Sequence, residues 1–409
     1  MAEPSITKRL VYHVGGYDPT EPRAVHQRFA RELSRFRTTW SVTATLSEPV
    51  VQDDTASWQV ATWGPNWRVE TEYRLLRWDD VIKQAEHRPM WRRIPLALLA
   101  FADFVASGAL WGYFRFNWRY AGFFLYPFVL FAMLAALAFV TGRLAGDAAG
   151  SVLVGWGVGL AAFALLMVWP ARQFYLPLLF DDWIFSRGYI RGHEKLLEAR
   201  LDRVARDLVT SARDSDVDEI LVIGHSLGAV LAVDLVDRAL PLDPALGKGR
   251  ARLALASVGS SLLKIGLHGG ATRFRAAVGR VASASQVFWA EYQALTDVMN
   301  FYKTNPVTAM GLAVPGRPVV RVARIRRMVL PARYRRMRRN FFKVHCQFVA
   351  GNDQRASYDY FMLLCGPLSV ERQVSYADGA VSAINDDGAL RESADVEPLV
   401  FEGTVEMSR

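Results

Sequence analysis

The chain has 409 residues, of which 51% are hydrophobic and 22% charged, and a formal net charge of +9. This length exceeds one typical domain, and the composition excludes both a disordered chain, which needs far fewer apolar residues, and a protein made almost wholly of membrane helices, which needs far fewer charges. Only two cysteines, Cys346 and Cys365, are present, which excludes a disulfide scaffold.

Both cysteines stand in apolar contexts and are expected to be ordinary buried thiols. With no signal peptide read at the Met1 end, the soluble part is expected in the cytoplasm. Charge is unevenly placed, because residues 370–409 carry nine carboxylates against three arginines, so the positive excess belongs to the rest of the chain. Such an excess suits an anionic partner, and the long apolar runs favour a negatively charged bilayer surface over nucleic acid.

In chain order, "KRLVYHVGGYDPTEPRAV" predicts a strand over Leu10–Val14, a Gly-Gly turn and a helix with Pro22 in its first turn. Between Trp40 and Ile82 the pieces "WSVTATL", "SWQVATW" and "VETEYRLL" alternate apolar and polar residues and predict more strands. Residues 1–90 are thus expected to form the first part of an α/β domain. Residues 91–119 have apolar pieces too short to span a bilayer, interleaved with Trp, Tyr and Arg. They predict an interfacial segment, with a soluble core helix as the alternative.

Residues 120–142 and 148–171 are uncharged runs of 23 and 24 residues. Each is long enough to cross a hydrocarbon layer of ~30 Å as a helix. The intervening "RLAGD" is short, so residues 120–171 predict an antiparallel transmembrane hairpin, with Ala132 and Ala136 expected to face Gly155 and Gly159, or these small residues to be low-bulk lipid-facing positions. Arg115, Arg119, Arg172 and Arg187 flank the hairpin, while its connection carries one Arg and one Asp. The positive-inside rule then puts the soluble part on the cytoplasmic side of an inner membrane.

Over residues 172–369 a helix with Leu196, Leu197, Leu201, Val204 and Leu208 on one face leads into the strand "EILVIGH". The pieces "RLALASVGSS", "SQVFWAEYQALTD" and "NFFKVHCQFVAG" predict further strands with helices between them. The fold class is therefore α/β, a mostly parallel sheet flanked by helices, with the hairpin inserted. Residues 370–409, rich in Ser, Ala, Asp and Gly, are expected to be an acidic flexible tail.

The chemistry concentrates at Gly224-His225-Ser226-Leu227-Gly228. Small residues at Gly224 and Gly228 let the chain turn sharply from strand to helix, lifting the serine hydroxyl above the sheet. The following helix directs its N-terminal dipole to where an oxyanion would develop. A purely structural tight turn is the alternative reading.

With a strand before this motif and a helix after it, the chain resembles the α/β-hydrolase superfamily, in particular its lipase- and esterase-like members. The resemblance covers the soluble parts on both sides of the hairpin and implies the order serine, acid, histidine. It assigns Ser226 as nucleophile, Asp297 as acid and His345 as base. His268 precedes any suitable acid and is expected to be a loop residue. Asp234 and Asp237 lie too far along the helix, Asp353 and Asp359 follow His345, and His225 needs no catalytic role. Because His345 falls within an apparently continuous strand, that strand must end early or bulge.

The oxyanion hole is expected from the amide of Leu227 and that of Gly16 or Tyr17 in "HVGGYDP", which looks like the His-Gly-type loop of lipases. The implied reaction is hydrolysis of an ester or thioester through an acyl-enzyme, with no metal or organic cofactor. The segment "GRPVVRVARIRRMVLPARYRRMRRN" has ten arginines in 25 residues. It suits anionic headgroups; nucleic acid, for which no binding module is recognised, and a solvated helix are the alternatives. The expected protein is a membrane-anchored serine hydrolase acting on a lipid or other acyl ester. A catalytically silent membrane-anchored scaffold is the rival, and a small channel or transport subunit is disfavoured because neither span contains a charge.

Overall fold

The computed structural model describes residues 5–314 and 316–391. The chain divides into two compact units, one built from the segments up to Asp80, Lys195–Leu267 and from Ala271 onward, the other from Val81–Glu194 with His268–Gly270. Residues 81–90 and 172–194, expected in the α/β domain, thus belong to the helical unit.

The α/β unit is organised by a mixed sheet that, among the described residues, has nine strands. These are β1 (Lys8–Val14), β2 (Thr43–Leu46), β3 (Val50–Val51), β4 (Thr55–Gly64), β5 (Trp67–Leu76), β6 (Glu219–His225), β7 (Arg252–Val258), β8 (Val287–Gln293) and β9 (Val319–Val322). Their order is β2-β4-β5-β1-β6-β7-β8-β9, with β3 paired to β4. Every pairing from β5 through β9 is parallel, whereas β2, β3 and β4 add antiparallel pairs at one side.

The sequence explains this division. β6 is buried at all seven positions, as a central parallel strand covered on both faces requires. β4 and β5 instead alternate, burying Trp58 and Val60, Val69 and Tyr73 while every second residue is more exposed. One face carries the helix Pro22–Trp40 and the short helix Tyr360–Cys365, whose Phe29, Phe36 and Phe361 share a core with Val11, Leu221 and Tyr73. Against β1, β6 and β7 packs the helix Gly228–Leu242, itself covered by the helix Lys195–Asp214. The latter buries Leu197, Leu201, Val204 and Leu208; Leu196, expected on the same face, is 50% exposed.

A buried ion pair fastens the C-terminal segment to the sheet. Arg9 Nε donates to Glu219 Oε2 at 2.8 Å, and the guanidinium also donates to the carbonyls of Leu364, Gly366 and Leu368. Charges so deeply buried require such pairing and further hydrogen bonds.

Several expectations are corrected. "FFKVHCQFVAG" is not a strand: Phe341–His345 is a helix followed by a 3-10 turn over Cys346–Val349. Asn340 starts the helix by accepting from the amide of Lys343 at 2.9 Å, and the sheet position falls to β9 instead. Residues 370–391 are folded, with a helix over Val370–Ser375 and an Ile384–Leu390 bridge. Val370, Val374, Tyr376 and Ile384 are buried, an apolar set that the acidic composition conceals. The rest of the expected tail, residues 392–409, lies outside the described residues. Cys365 is buried as expected, but Cys346 is exposed. The arginine-rich segment is divided among β9 and the short helices Ile325–Met328 and Pro331–Met337.

In the helical unit, Trp118–Ala149 and Val152–Gln173 are long and apolar enough to cross a membrane. The expected interfacial segment forms helices Met90–Ala106 and Ala109–Phe116, bent by 68° at their junction, and this pair is long and apolar enough to cross a membrane if taken as one broken span. Residues 143–147 continue the first long helix, and the chain reverses at Gly150, whose φ of +61° is a left-handed conformation that glycine adopts without strain. Gly155 and Gly159 do face the first helix. They meet Gly142 and Gly146, however, while Ala132 and Ala136 are exposed. A Cβ on Gly142 would lie 2.7 Å from the Gly155 carbonyl oxygen, which explains why the closest approach falls at glycines. His268 is buried in this unit, its Nε2 3.7 Å from Asp103 and its ring against Phe104.

Candidate active site

Parallel sheets gather loops at the carboxyl ends of their strands, and ligands bind there. The segments carrying the candidates follow such ends: Gly15–Tyr17 after β1, Ser226–Leu227 after β6, Gly259 after β7, Asp297 after β8, and His345 after β9. β1 and β6 are direct neighbours with Val14 opposite Gly224, although some 200 residues apart in sequence. This pairing sets the glycine loop beside the elbow.

Ser226 has φ +55°, a left-handed conformation that costs a non-glycine residue free energy. Its amide donates to the Val258 carbonyl at 3.2 Å, and its own carbonyl accepts from Ala229 at 3.2 Å and Ser261 at 3.0 Å. The flanking glycines have no positive φ; they are needed for space. A Cβ on Gly224 would collide with the Ala229 Cα, and one on Gly228 with the Val14 carbonyl oxygen. A Cβ on Gly16 would lie 3.1 Å from the Ser226 Cβ, so this loop touches the serine directly.

His345 and Asp297 are joined by a 2.8 Å hydrogen bond between Nδ1 and Oδ2, both side chains being almost fully buried. Asp297 is held in turn: its Oδ1 accepts from the Met299 amide at 2.9 Å, and the Asn300 side chain donates to the carbonyls of Ala294 and Asp297. With Nδ1–H donated to the carboxylate, His345 Nε2 is left as the basic nitrogen. It is buried and, among the described residues, has no hydrogen-bond partner.

The other candidates take structural roles. Asp234 pairs with Arg238, Asp237 with Arg280, and Asp353 with Arg35 and Arg333. Asp359 accepts from Trp40 Nε1 and from the Met362 amide that it caps.

Leu227 sits at the N-terminus of the helix Gly228–Leu242. Among the described residues, the amides of Gly16 and Leu227 have no protein acceptor. Tyr17 packs edge-on to Trp78, whose Nε1 donates to the Gly15 carbonyl at 3.2 Å, and Asp18 closes the turn by donating its amide to the Gly16 carbonyl. The loop is therefore braced from outside.

Two contributors escaped the sequence reading. His225 packs against His345 with the rings tilted by 35° and centroids 4.5 Å apart, and bonds its carbonyl through Nε2 at 3.2 Å. Burial, with His345 alongside, holds the His225 pKa well below the ordinary histidine value, so Nε2 donates from a neutral ring. Glu291 on β8 is the second: buried, it accepts from Ser260 Oγ at 2.5 Å and from Ser257 Oγ, bracing the loop that includes Gly259. Burial pushes its carboxyl up to about 7. The one carboxylate within the apolar run "VFWAEYQA" was its sequence signal. Gly259 itself leaves room for its neighbours, since a Cβ there would lie 3.3 Å from His345 Cε1 and closer still to Phe348.

Among the described residues no group of three or more His, Cys, Asp or Glu side chains gathers as a metal site. No known protein family, curated sequence or solved structure matches the chain.

Proposed function

We propose that this protein is a serine hydrolase of the α/β-hydrolase type, anchored in the inner membrane by its apolar hairpin with the α/β unit in the cytoplasm, and that it cleaves an acyl ester, a lipid ester or thioester included. The observation that carries this reading is the buried Asp297–His345 hydrogen bond of 2.8 Å, with both residues supplied beyond the carboxyl ends of strands in the same sheet whose β6 presents Ser226 on a left-handed turn. A solvated surface pair would need no such gathering. The strand order supports the reading too, since serine, acid and histidine follow three different parallel strands in the sequence order this class requires.

In the proposed reaction His345 Nε2 takes the proton of Ser226 Oγ as the oxygen attacks the acyl carbonyl. Asp297 fixes the tautomer and stabilises the imidazolium. The negative charge that develops on the carbonyl oxygen is held by the amides of Leu227 and of Gly16 or Tyr17, at the positive end of the helix that follows. His345 then protonates the leaving group, and a water activated by the same nitrogen releases the acyl-enzyme. No step calls for a metal or organic cofactor.

The test is labelling of membranes with a fluorophosphonate probe, comparing the native chain with Ser226→Ala and His345→Ala. Labelling lost in both variants is the expected result. If the folded native protein in detergent or anionic liposomes takes up no probe, the hydrolase assignment falls and the silent scaffold replaces it.

A further inference from the structure

A cleft of about 340 Å³ opens in the α/β unit, with Arg28, Arg333, Arg336, Lys343, Cys346 and Gln347 in its wall. Its position follows from its residues. Cys346 is the next residue after His345, and Lys343 stands on the same short helix as the histidine. Arg28, from the helix Pro22–Trp40, lines it too and pairs at 3.3 Å with Asp18, next to Tyr17 in the glycine loop. The Arg28 charge also disfavours protonation of His13 and His225, both beside the elbow.

The electrostatic balance in this cleft is unequal. Arg28 has Asp18 and Arg333 has Asp353, while Glu32, also in the wall, is engaged by Arg35 and by the Gly351 amide. Among the described residues Arg336 and Lys343 have no carboxylate within ion-pair distance, so two full positive charges face a concave site unmatched. Guanidinium groups offer paired N–H donors that fit phosphate oxygens, and an ammonium adds a point charge; a cleft of this size accommodates a headgroup rather than a macromolecule.

We propose that this cleft is an anion subsite that holds the phosphate of an acyl-ester substrate, so that the preferred substrates are anionic phospholipid-type esters whose acyl carbonyl lies at Ser226. The assignment rests on the hydrolase reading and specifies its substrate class. Arg28 would link headgroup recognition to the glycine loop, because the Asp18 it holds is part of the turn that places the Gly16 amide.

The test separates the subsite from the chemistry by measuring binding without turnover. Full-length Ser226→Ala protein in neutral detergent is titrated by thermophoresis with dihexanoyl phosphatidylglycerol, dihexanoyl phosphatidylcholine and inorganic phosphate, with and without the further pair Arg336→Ala and Lys343→Ala. Phosphatidylglycerol is expected to bind at least tenfold more tightly than phosphatidylcholine, to lose at least tenfold in the double variant, and to weaken with added salt. Three results overturn the proposal: equal affinity for the two lipids, an unchanged phosphatidylglycerol affinity in the double variant, or inorganic phosphate binding as tightly as the lipid, which marks a free-phosphate site. A thermal melt of the double variant excludes misfolding as the cause of lost binding. Fluorophosphonate labelling of the native chain reports on Ser226 independently, so selective binding without labelling would remove the hydrolase reading and leave an anionic-lipid site.

Discussion

His345 donates Nδ1–H to Asp297 Oδ2 at 2.8 Å across a sequence separation of 48 residues, and both side chains are buried. Such a bond orients the ring and leaves Nε2 as its basic nitrogen, the base of the proposed mechanism. Asp297→Asn should keep the loop, since an amide oxygen still accepts from the Met299 amide, while presenting the wrong partner to the histidine. The expected outcome is a fall in the rate of fluorophosphonate labelling by roughly 10³–10⁴ with an essentially unchanged thermal midpoint. A labelling rate within threefold of the native chain would remove Asp297 from the mechanism.

The left-handed backbone of Ser226 gives a prediction with opposite signs for stability and activity. Ser226→Gly relieves a conformation that costs a residue bearing a Cβ about 1–2 kcal/mol, whereas Ser226→Ala retains it. Both variants should lose labelling, and the glycine variant should melt above the alanine variant by a few degrees in differential scanning calorimetry. Equal midpoints would show that the turn stores no strain.

Glu291 predicts a pH dependence. Burial raises its folded pKa to about 7, above that of an exposed glutamate, so between the two values the folded chain holds a proton that the unfolded chain has lost. Stability from this group is therefore complete below the unfolded pKa and is lost as pH rises to about 7. Glu291→Gln, which cannot ionise, should match the native chain near pH 4 and exceed it by roughly 3 kcal/mol at pH 8. Urea unfolding of the detergent-solubilised chain at the two pH values measures the difference; a gain of the same size at both would locate the effect elsewhere.

The buried pair Arg9–Glu219 should be costly to break from one side. Arg9→Met removes the guanidinium from Glu219 and three carbonyls, leaving Glu219 only the Val370 amide, and is expected to cost about 3–5 kcal/mol. Changing Glu219→Gln in the same chain should recover part of that loss, read as a less-than-additive double-mutant cycle in urea.

Gly142 tests the hairpin. A side chain there meets the Gly155 carbonyl oxygen and the Gly159 Cα, so Gly142→Val must separate the two helices. The expected loss is on the order of 1–3 kcal/mol, seen as a lower melting temperature in detergent and faster proteolysis near Gly150. Gly122→Val, at a glycine on the same helix with open space around its Cβ position, is the control.

Local pattern alone made much of this protein legible. The apolar run of β6, the turn at Ser226 and the amphipathic helix behind it depend on neighbours within a few residues, and so did the two long apolar helices, whose lack of charge needs no tertiary context. The order of Ser226, Asp297 and His345 was open to the sequence because resemblance to a family supplied it. Elsewhere composition misled: the acidic surface of residues 370–391 hid the buried Val370, Val374 and Ile384, and a β-like apolar run around His345 is a helix, while β9 holds the place beside β8. What only the tertiary structure decided was proximity. β1 beside β6, His345 on Asp297, His225 against His345, and Arg28 with Lys343 around one cleft all join residues far apart in the chain, and sequence periodicity carries no information about which distant segment a strand or loop will meet. That choice is made by burying the faces of a single sheet, where each pairing depends on all the others.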